Sequence, residues 1–368
     1  MRQAISKLTI KGYKSIRNLE DFELRNINIL IGPNGAGKSN LIDFFRLLRA
    51  MMELSLPNLD NSSLKNYTKD SGGSSDLLFN GPKITQRIEV KIMFGNNGYR
   101  FKLAPTTDET FLINDEATYW EKTSWFDIAS GSSSPALLSK LKYGSEKVRN
   151  YILDSVREWK IYHFHDTSKF APMRGFREAD DCEYLRFDAS NIAPFLLDLR
   201  NNEPEAYDKI VESVKLVTPF FDDFLLKPNR ADKVRLRWRQ KGSDYPLKPH
   251  HLSDGTIRFI CLATSLLQPY PPTTILIDEP ELGLHPYALT LLAGLIQKAS
   301  TQTQVIVSTQ SATLIDHFEP EDIVVVERQN GESVFKRLNK ADLKVWLDDY
   351  SLGELWQKNV FGGRPARE

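Results

Sequence analysis

The chain has 368 residues, with 48 lysines and arginines against 48 aspartates and glutamates, so its formal net charge is zero. Whole-molecule attraction to nucleic acid is thereby excluded, and any such contact must come from a local patch. Hydrophobic residues make up 41% and charged residues 26%, a balance that excludes wholesale disorder. The two cysteines, Cys182 and Cys261, are far apart and outside any CxxC spacing. They suggest neither a disulfide framework nor a zinc site, and they predict a reducing, cytoplasmic setting.

The N-terminal MRQAISKLTI alternates like a strand and lacks the apolar run of a signal peptide. No stretch approaches the roughly 18 apolar residues of a membrane span, so a soluble protein is predicted. Residues 5–32 read as strands that run into a glycine-rich turn, and the segment from Lys38 to Leu54 has helical spacing, which together start a βα unit. A polar loop is predicted over 56–75. Antiparallel strands follow over 84–94, 98–104 and 110–120, then a surface loop at 130–135. Helical spacing resumes over 136–158, before a strand at 159–165. Residues 190–217 read as an amphipathic helix and 222–240 as two strands. Helix 256–268, strand 273–278, helix 286–299 and strands 303–308 and 322–327 then alternate as in a parallel sheet. The fold class is therefore α/β, with a mostly parallel core sheet, an N-terminal antiparallel β part and an inserted helical lobe.

Residues Gly32, Pro33, Asn34, Gly35, Ala36, Gly37, Lys38 and Ser39 make a complete GxxxxGK[ST] loop between a strand and a helix. Its glycines let backbone N–H groups turn inward and cradle phosphate oxygens at a helix N-terminus. Lys38 would reach the β- and γ-phosphates of ATP, and Ser39 would ligate Mg²⁺. The apolar TILI at 274–277 delivers Asp278 and Glu279 to a strand end. By itself that pair could be two solvated acids. Together with the phosphate loop it reads as a Mg²⁺ holder, Asp278, and a catalytic base for the attacking water, Glu279.

The stretch from His250 to Thr256 (HHLSDGT) precedes an apolar helix about twenty residues before the acids. It looks like the LSGGQ signature, with Asp254 and Thr256 as departures. Ser253 can cap the helix while Gly255 leaves its backbone open, which makes a second phosphate-binding helix end with Asp254 between them. With EPELGLHP at 279–286 and VIVSTQS at 305–311, the chain resembles the ABC-type ATPase heads of the RecF, SMC and OLD group. Within that group it is similar to the stand-alone bacterial predicted ATPases, from GYKSI at 12–16 to GELWQKNVFGGRP at 353–365.

The resemblance implies one discontinuous head over residues 1–368, with its core in 1–53, 159–170 and 243–345. It places a β-rich insert at 54–158, a signature lobe at 171–255 and a helical tail at 339–368. It makes Leu282–His285 the D-loop and Gln310 a γ-phosphate switch, where many relatives carry His. Gln cannot become cationic, which bears on turnover rather than binding. Lys14, Ser15 and Asn40 are expected near the phosphates. His165–Asp166 is the candidate Q-loop, and two histidines at a strand end can also be structural.

The resemblance further implies a homodimer with shared ATP sites that controls a separate effector, such as a TOPRIM-like nuclease, in DNA repair or anti-phage defence. A RecF-like DNA clamp and a scaffold with little turnover are the alternatives. Residues 227–241 hold seven basic side chains and one acid. A continuous strand there would put Lys233, Arg235, Arg237 and Arg239 on one face and Val234, Leu236 and Trp238 on the other. That face is either a contact for DNA or an acidic partner, or an edge protected by charge.

Overall fold

β1 (Lys7–Tyr13) and β2 (Ile16–Glu23) form an antiparallel hairpin whose tip is Lys14–Ser15. Lys14 takes φ 45° there, the left-handed geometry of a tight turn. The structure, a computed structural model, describes residues 4–52, 63–138 and 146–363. The chain forms two units: residues 1–159, 320–344 and 356–368 make the first, and residues 160–319 and 345–355 the second.

In the first unit, β3 (Ile27–Ile31) is buried along most of its length and delivers the chain to α1 (Lys38–Met52). Part of the loop predicted at 56–75 is helical instead. α2 (Ser63–Asp70) lies within it, the single turn α3 (Ser74–Leu77) starts at its end, and residues 53–62 fall outside the described residues. The alternation of β4 (Ile88–Phe94), buried at every second residue, marks a sheet with one covered face. β5 (Asn97–Pro105), β6 (Phe111–Trp120) and β7 (Ser124–Ala129) complete a sheet ordered β2-β1-β4-β5-β6-β7. β7 was not predicted. Of the helix predicted at 136–158, α4 covers Glu146–Arg157, a 3₁₀ turn covers Ala136–Leu138, and 139–145 lie outside the described residues.

The second unit opens with β8 (Lys160–Tyr162), shorter than the strand predicted to residue 165, and β9 (Arg177–Glu178). The helix predicted over 190–217 breaks in two, α5 (Ile192–Asn202) and α6 (Pro204–Val217). Pro204 has no N–H to continue the first helix but fits the first turn of the second. β10 (Phe221–Leu225), β11 (Lys233–Val234) and β12 (Arg237–Gln240) follow. After α7 (Asp254–Leu266), β13 (Thr274–Asp278), α8 (Pro286–Ala299), β14 (Gln304–Thr309) and the single turn α9 (Ala312–Ile315), the chain returns to the first unit.

β13 pairs in parallel with β14 on one side and β8 on the other, and every residue of β13 and β14 is buried. Such strands read as unbroken apolar runs because both faces are covered. In the first unit, β15 (Ile323–Gln329) lies parallel to β3 and antiparallel to β16 (Glu332–Arg337), a strand that was not predicted. Among the described residues no helix is long and apolar enough to cross a membrane.

One correction concerns the basic run. It is not a continuous strand: β11 pairs with β9, whereas β12 pairs with β10, and the Arg237 N–H donates to the Arg235 carbonyl at the break. The apolar half of the expectation holds, with Val234, Leu236 and Trp238 all buried. The basic half is divided. Lys233 pairs with Glu178 at 2.8 Å, Arg239 with Asp222 at 2.6 Å, and the Arg235 guanidinium stands 4.5 Å over the Phe176 ring.

Trp159 anchors the first unit. It is fully buried, with ring centroids 5.1 Å from Phe45 on α1 and 6.3 Å from Phe94 on β4. Its carbonyl accepts from Arg49 at 3.2 Å. Trp159→Ala should lower the unfolding free energy by about 3–5 kcal/mol. Chemical denaturation measures this, and a loss below about 1 kcal/mol would contradict the packing described.

Candidate functional site

The phosphate-loop half is built from β3, α1 and β16. Gly32, Gly35 and Gly37 take φ of 154°, 79° and 108°. Gly37 leaves no room for a side chain, because a Cβ there would overlap the Ser333 hydroxyl. Ser333 donates to the Ala36 carbonyl at 2.6 Å and accepts from the Ser15 hydroxyl at 2.6 Å, and Asn40 donates to Ser15 at 2.7 Å. Ser15 and Asn40 thus brace the loop from outside it.

Lys38 is buried, and its Nζ donates to the Gly32 carbonyl at 2.7 Å and the Pro33 carbonyl at 3.1 Å. Asn34, Gly35 and Ser39 are exposed, while Ala36 is buried. Lys14 does not point a free charge at the loop: its Nζ pairs with Asp43 of α1 at 2.7 Å. Sequence reasoning missed Ser333, since nothing in β16 marks one serine 296 positions after Gly37 as its neighbour.

The carboxylate half lies in the second unit. Asp278 ends β13 and is buried; one carboxylate oxygen accepts from the Ser308 hydroxyl of β14, and the other faces His163 Nδ1 at 3.9 Å. Glu279, just beyond the strand, takes φ 44°, a left-handed conformation uncommon outside glycine, and its N–H donates to the Ser308 carbonyl at 2.9 Å. Gln310, exposed beyond β14, donates its side-chain amide to Glu279. Its backbone N–H donates to Glu281 at 2.6 Å. Burial pushes the Glu281 carboxyl above its usual range, against the opposing pull of the Gln310 and Thr309 hydrogen bonds.

The signature half surrounds the start of α7. Ser253 is its N-cap, accepting from the Thr256 N–H at 3.0 Å, and both Ser253 and Asp254 are exposed. The Asp254 carboxylate pairs at 2.8 Å with Arg174, a buried side chain that also donates to the Pro249, Leu252 and Thr167 carbonyls. That pairing accounts for an aspartate where the signature pattern carries glycine.

Gly255 serves close packing: a Cβ there would overlap the Gly283 carbonyl oxygen of the D-loop segment. Three residues on, Arg258 donates to the carbonyls of Phe164 at 2.9 Å, His165 at 3.1 Å and Leu282. Arg258 escaped the sequence reading because one arginine on an apolar helix reads as a solvated position. Its distance of five residues from Ser253 was the available signal.

A glycine loop at a helix start, a buried strand ending in two carboxylates and a capped signature helix define an ABC-type ATPase head of the SMC and RecF group. The chain belongs to the family described as "AAA domain, putative AbiEii toxin, Type IV TA system", whose profile matches residues 27–316. It is 30% identical over 103 residues to a chromosome partition protein Smc of Desulfitobacterium hafniense (strain Y51). That match takes in 27% of this chain but only 8% of the relative's length.

Among solved structures, an Smc head bound to the C-terminal winged-helix domain of ScpA superposes with TM-score 0.60 at 18% identity, covering 92% of this chain and 99% of that one. A Pyrococcus furiosus Smc head with an extended coiled coil, bound to the C-terminal domain of ScpA, gives TM-score 0.57 at 16% identity, with 94% and 98% covered. These likenesses establish the fold of an SMC-type head.

Two outcomes follow from this geometry. Because the folded state raises the Glu281 pKa, ionising that carboxyl costs stability as pH rises. Glu281→Gln should therefore melt higher than wild type at about pH 8, and the advantage should shrink as pH falls toward the unfolded carboxyl value of about 4.3. A lower melting temperature at pH 8 would overturn the burial argument. Gly37→Ala should weaken ATP binding at least tenfold by displacing Ser333, as read by equilibrium titration with a fluorescent nucleotide. Wild-type affinity would contradict that fit.

Proposed function

We propose that the protein binds and hydrolyses ATP as a homodimer in which each ATP lies between one copy's phosphate loop and the other copy's signature helix. The observation that carries this reading is the phosphate loop itself. Three left-handed or extended glycines wrap the start of α1, and Lys38 Nζ donates to the loop's Gly32 and Pro33 carbonyls. Phosphate oxygens would take over that ammonium and the backbone N–H groups at the start of α1.

Asp278 and Ser39 would hold Mg²⁺, which supplies charge neutralisation of the phosphates when bound. A buried carboxylate whose oxygens meet a neutral hydroxyl and an imidazole fits such a cation. Glu279 would accept the proton of the attacking water, with Gln310 orienting that carboxylate. Ser253 and the N-terminus of α7 would bind the γ-phosphate held by the partner, with Gly255 and Asp254 shaping that helix end. The γ-phosphate would then stabilise the closed dimer over the open one, and its loss would release it.

The output of such a switch is a separate effector, and we propose a partner protein, with a nuclease as the leading kind, in anti-phage defence or DNA repair. The Smc heads with this fold were captured with a domain of a partner protein, which supports docking of a second polypeptide here. A second reading, a nucleotide-regulated scaffold with little turnover, is favoured by one contact. The Gln310 amide is bound to Glu279 itself, the group that must face water.

Lys38→Ala should abolish tight ATP binding, because it removes the ammonium that meets phosphate charge. Glu279→Gln should retain binding while turnover falls by about 10²–10⁴-fold, the usual contribution of a general base. Phosphate release and nucleotide titration on the two variants check this. Unchanged turnover in Glu279→Gln would remove it from the catalytic role.

A further inference from the structure

His163 and His165 come together with Asp278 in a cluster whose two imidazoles carry no role in the proposed ATP hydrolysis. We propose that these three side chains make a binding site for a zinc-class divalent transition metal, on the β8 side of Asp278. The inference stands on the cluster alone and does not depend on ATP hydrolysis.

The backbone brings the donors together. β8 and β13 are parallel neighbours with Tyr162 opposite Ile277, so His163 and Asp278 each follow one step past a register pair. His165 comes two residues after His163, the spacing that returns a side chain to the same face of extended chain. The result is one ligand atom from each of three residues, all within 4.8 Å of one another.

The geometry favours an ion over hydrogen bonds. His163 Nδ1 and the facing Asp278 oxygen are 3.9 Å apart, too long for a hydrogen bond. Two ligands each about 2.1 Å from one metal can sit at about that separation. The imidazole rings lie 3.8 Å centroid to centroid with planes 34° apart, so both present their nitrogens from one side of the chain. Metal binding requires them neutral.

The supporting shell is also present. His165 Nε2 lies 3.0 Å from the Asp278 backbone carbonyl and would donate to it, leaving the lone pair on Nδ1. The second Asp278 oxygen is occupied by the Ser308 hydroxyl. Hydrogen bonds of this kind orient metal ligands in other proteins.

The donor set selects the metal. Two imidazole nitrogens and one carboxylate suit zinc-like ions, whereas Mg²⁺ takes oxygen ligands almost alone. An ion held here would share Asp278 with the nucleotide's own cation. Transition-metal supply would thereby bear on the ATP site from outside it.

Calorimetric titration of the full chain with Zn²⁺, without nucleotide and with Mg²⁺ in excess, tests the assignment. One tight equivalent is expected. The double variant His163→Gln/His165→Gln should lose at least tenfold in Zn²⁺ affinity. His250→Gln/His251→Gln should bind as wild type, and a thermal shift by Zn²⁺ should follow the same pattern. If the first double variant fails to fold, the single variants His163→Gln and His165→Gln each carry the same expected loss. Equal Zn²⁺ affinity in the His163 and His165 variants, equal loss in the His250 and His251 variant, or displacement of Zn²⁺ by excess Mg²⁺ would each overturn the site. ATP titration of the His163 and His165 variants separates this result from a failure of the phosphate loop.

Discussion

The second unit depends on how one buried cation is satisfied. Arg258 sits on the signature helix α7, only 6% exposed, and burial lowers its pKa from the usual guanidinium value. A charge so placed is tolerated only when its N–H groups are fully used. Here they reach three backbone carbonyls, at Phe164, His165 and Leu282. A lysine could not span the three, because a single ammonium lacks the planar fork. The exit of β8, the D-loop segment and the signature helix are therefore held in one arrangement by one side chain.

That arrangement explains details that local sequence rules leave open. With Leu282 held by Arg258, Gly283 is brought against Gly255, where only glycine allows the approach. Glu279, four residues before Gly283, adopts its left-handed backbone between the buried end of β13 and this fixed segment. Its N–H on Ser308 and the Gln310 amide on its carboxylate tie it to the end of β14 as well. The carboxylate proposed to act on water is thus held from two strands and supported from the signature helix. Asp254 belongs to the same logic, since Arg174 anchors the entry to α7 as Arg258 anchors its first turns.

The phosphate loop was legible in the sequence because its chemistry is local: backbone N–H groups, glycine dihedrals and one lysine lie within eight consecutive residues. The buried strands β13 and β14 were legible for a related reason, since a strand covered on both faces has no alternation to obscure. Contacts that depend on distant chain return were not legible. Ser333 fills the space beside Gly37 from β16, a strand too polar to announce itself. Arg258 and Arg174 look solvated in a sequence, and only their carbonyl partners reveal otherwise. The basic run misled for a physical reason: its alternation correctly reported a buried apolar face, but alternation does not reveal a change of strand partner between Val234 and Arg237. The pairing of Lys14 with Asp43, one α-helical turn after Ser39, was likewise not legible, because it joins a hairpin tip to a helix 29 residues away.

The account rests on the signature helix of one copy acting on the nucleotide held by another, and mixing two defective variants tests this most directly. Ser253→Asp keeps a competent helix cap while placing negative charge where the partner's γ-phosphate would lie. Lys38→Ala removes the phosphate loop's ammonium and leaves the signature intact. Random pairing of the two makes half the dimers mixed, each with one intact composite site, so the mixture should recover up to about a quarter of wild-type turnover. Turnover no higher than that of either variant alone, in a mixture shown to exchange subunits, would contradict the shared site.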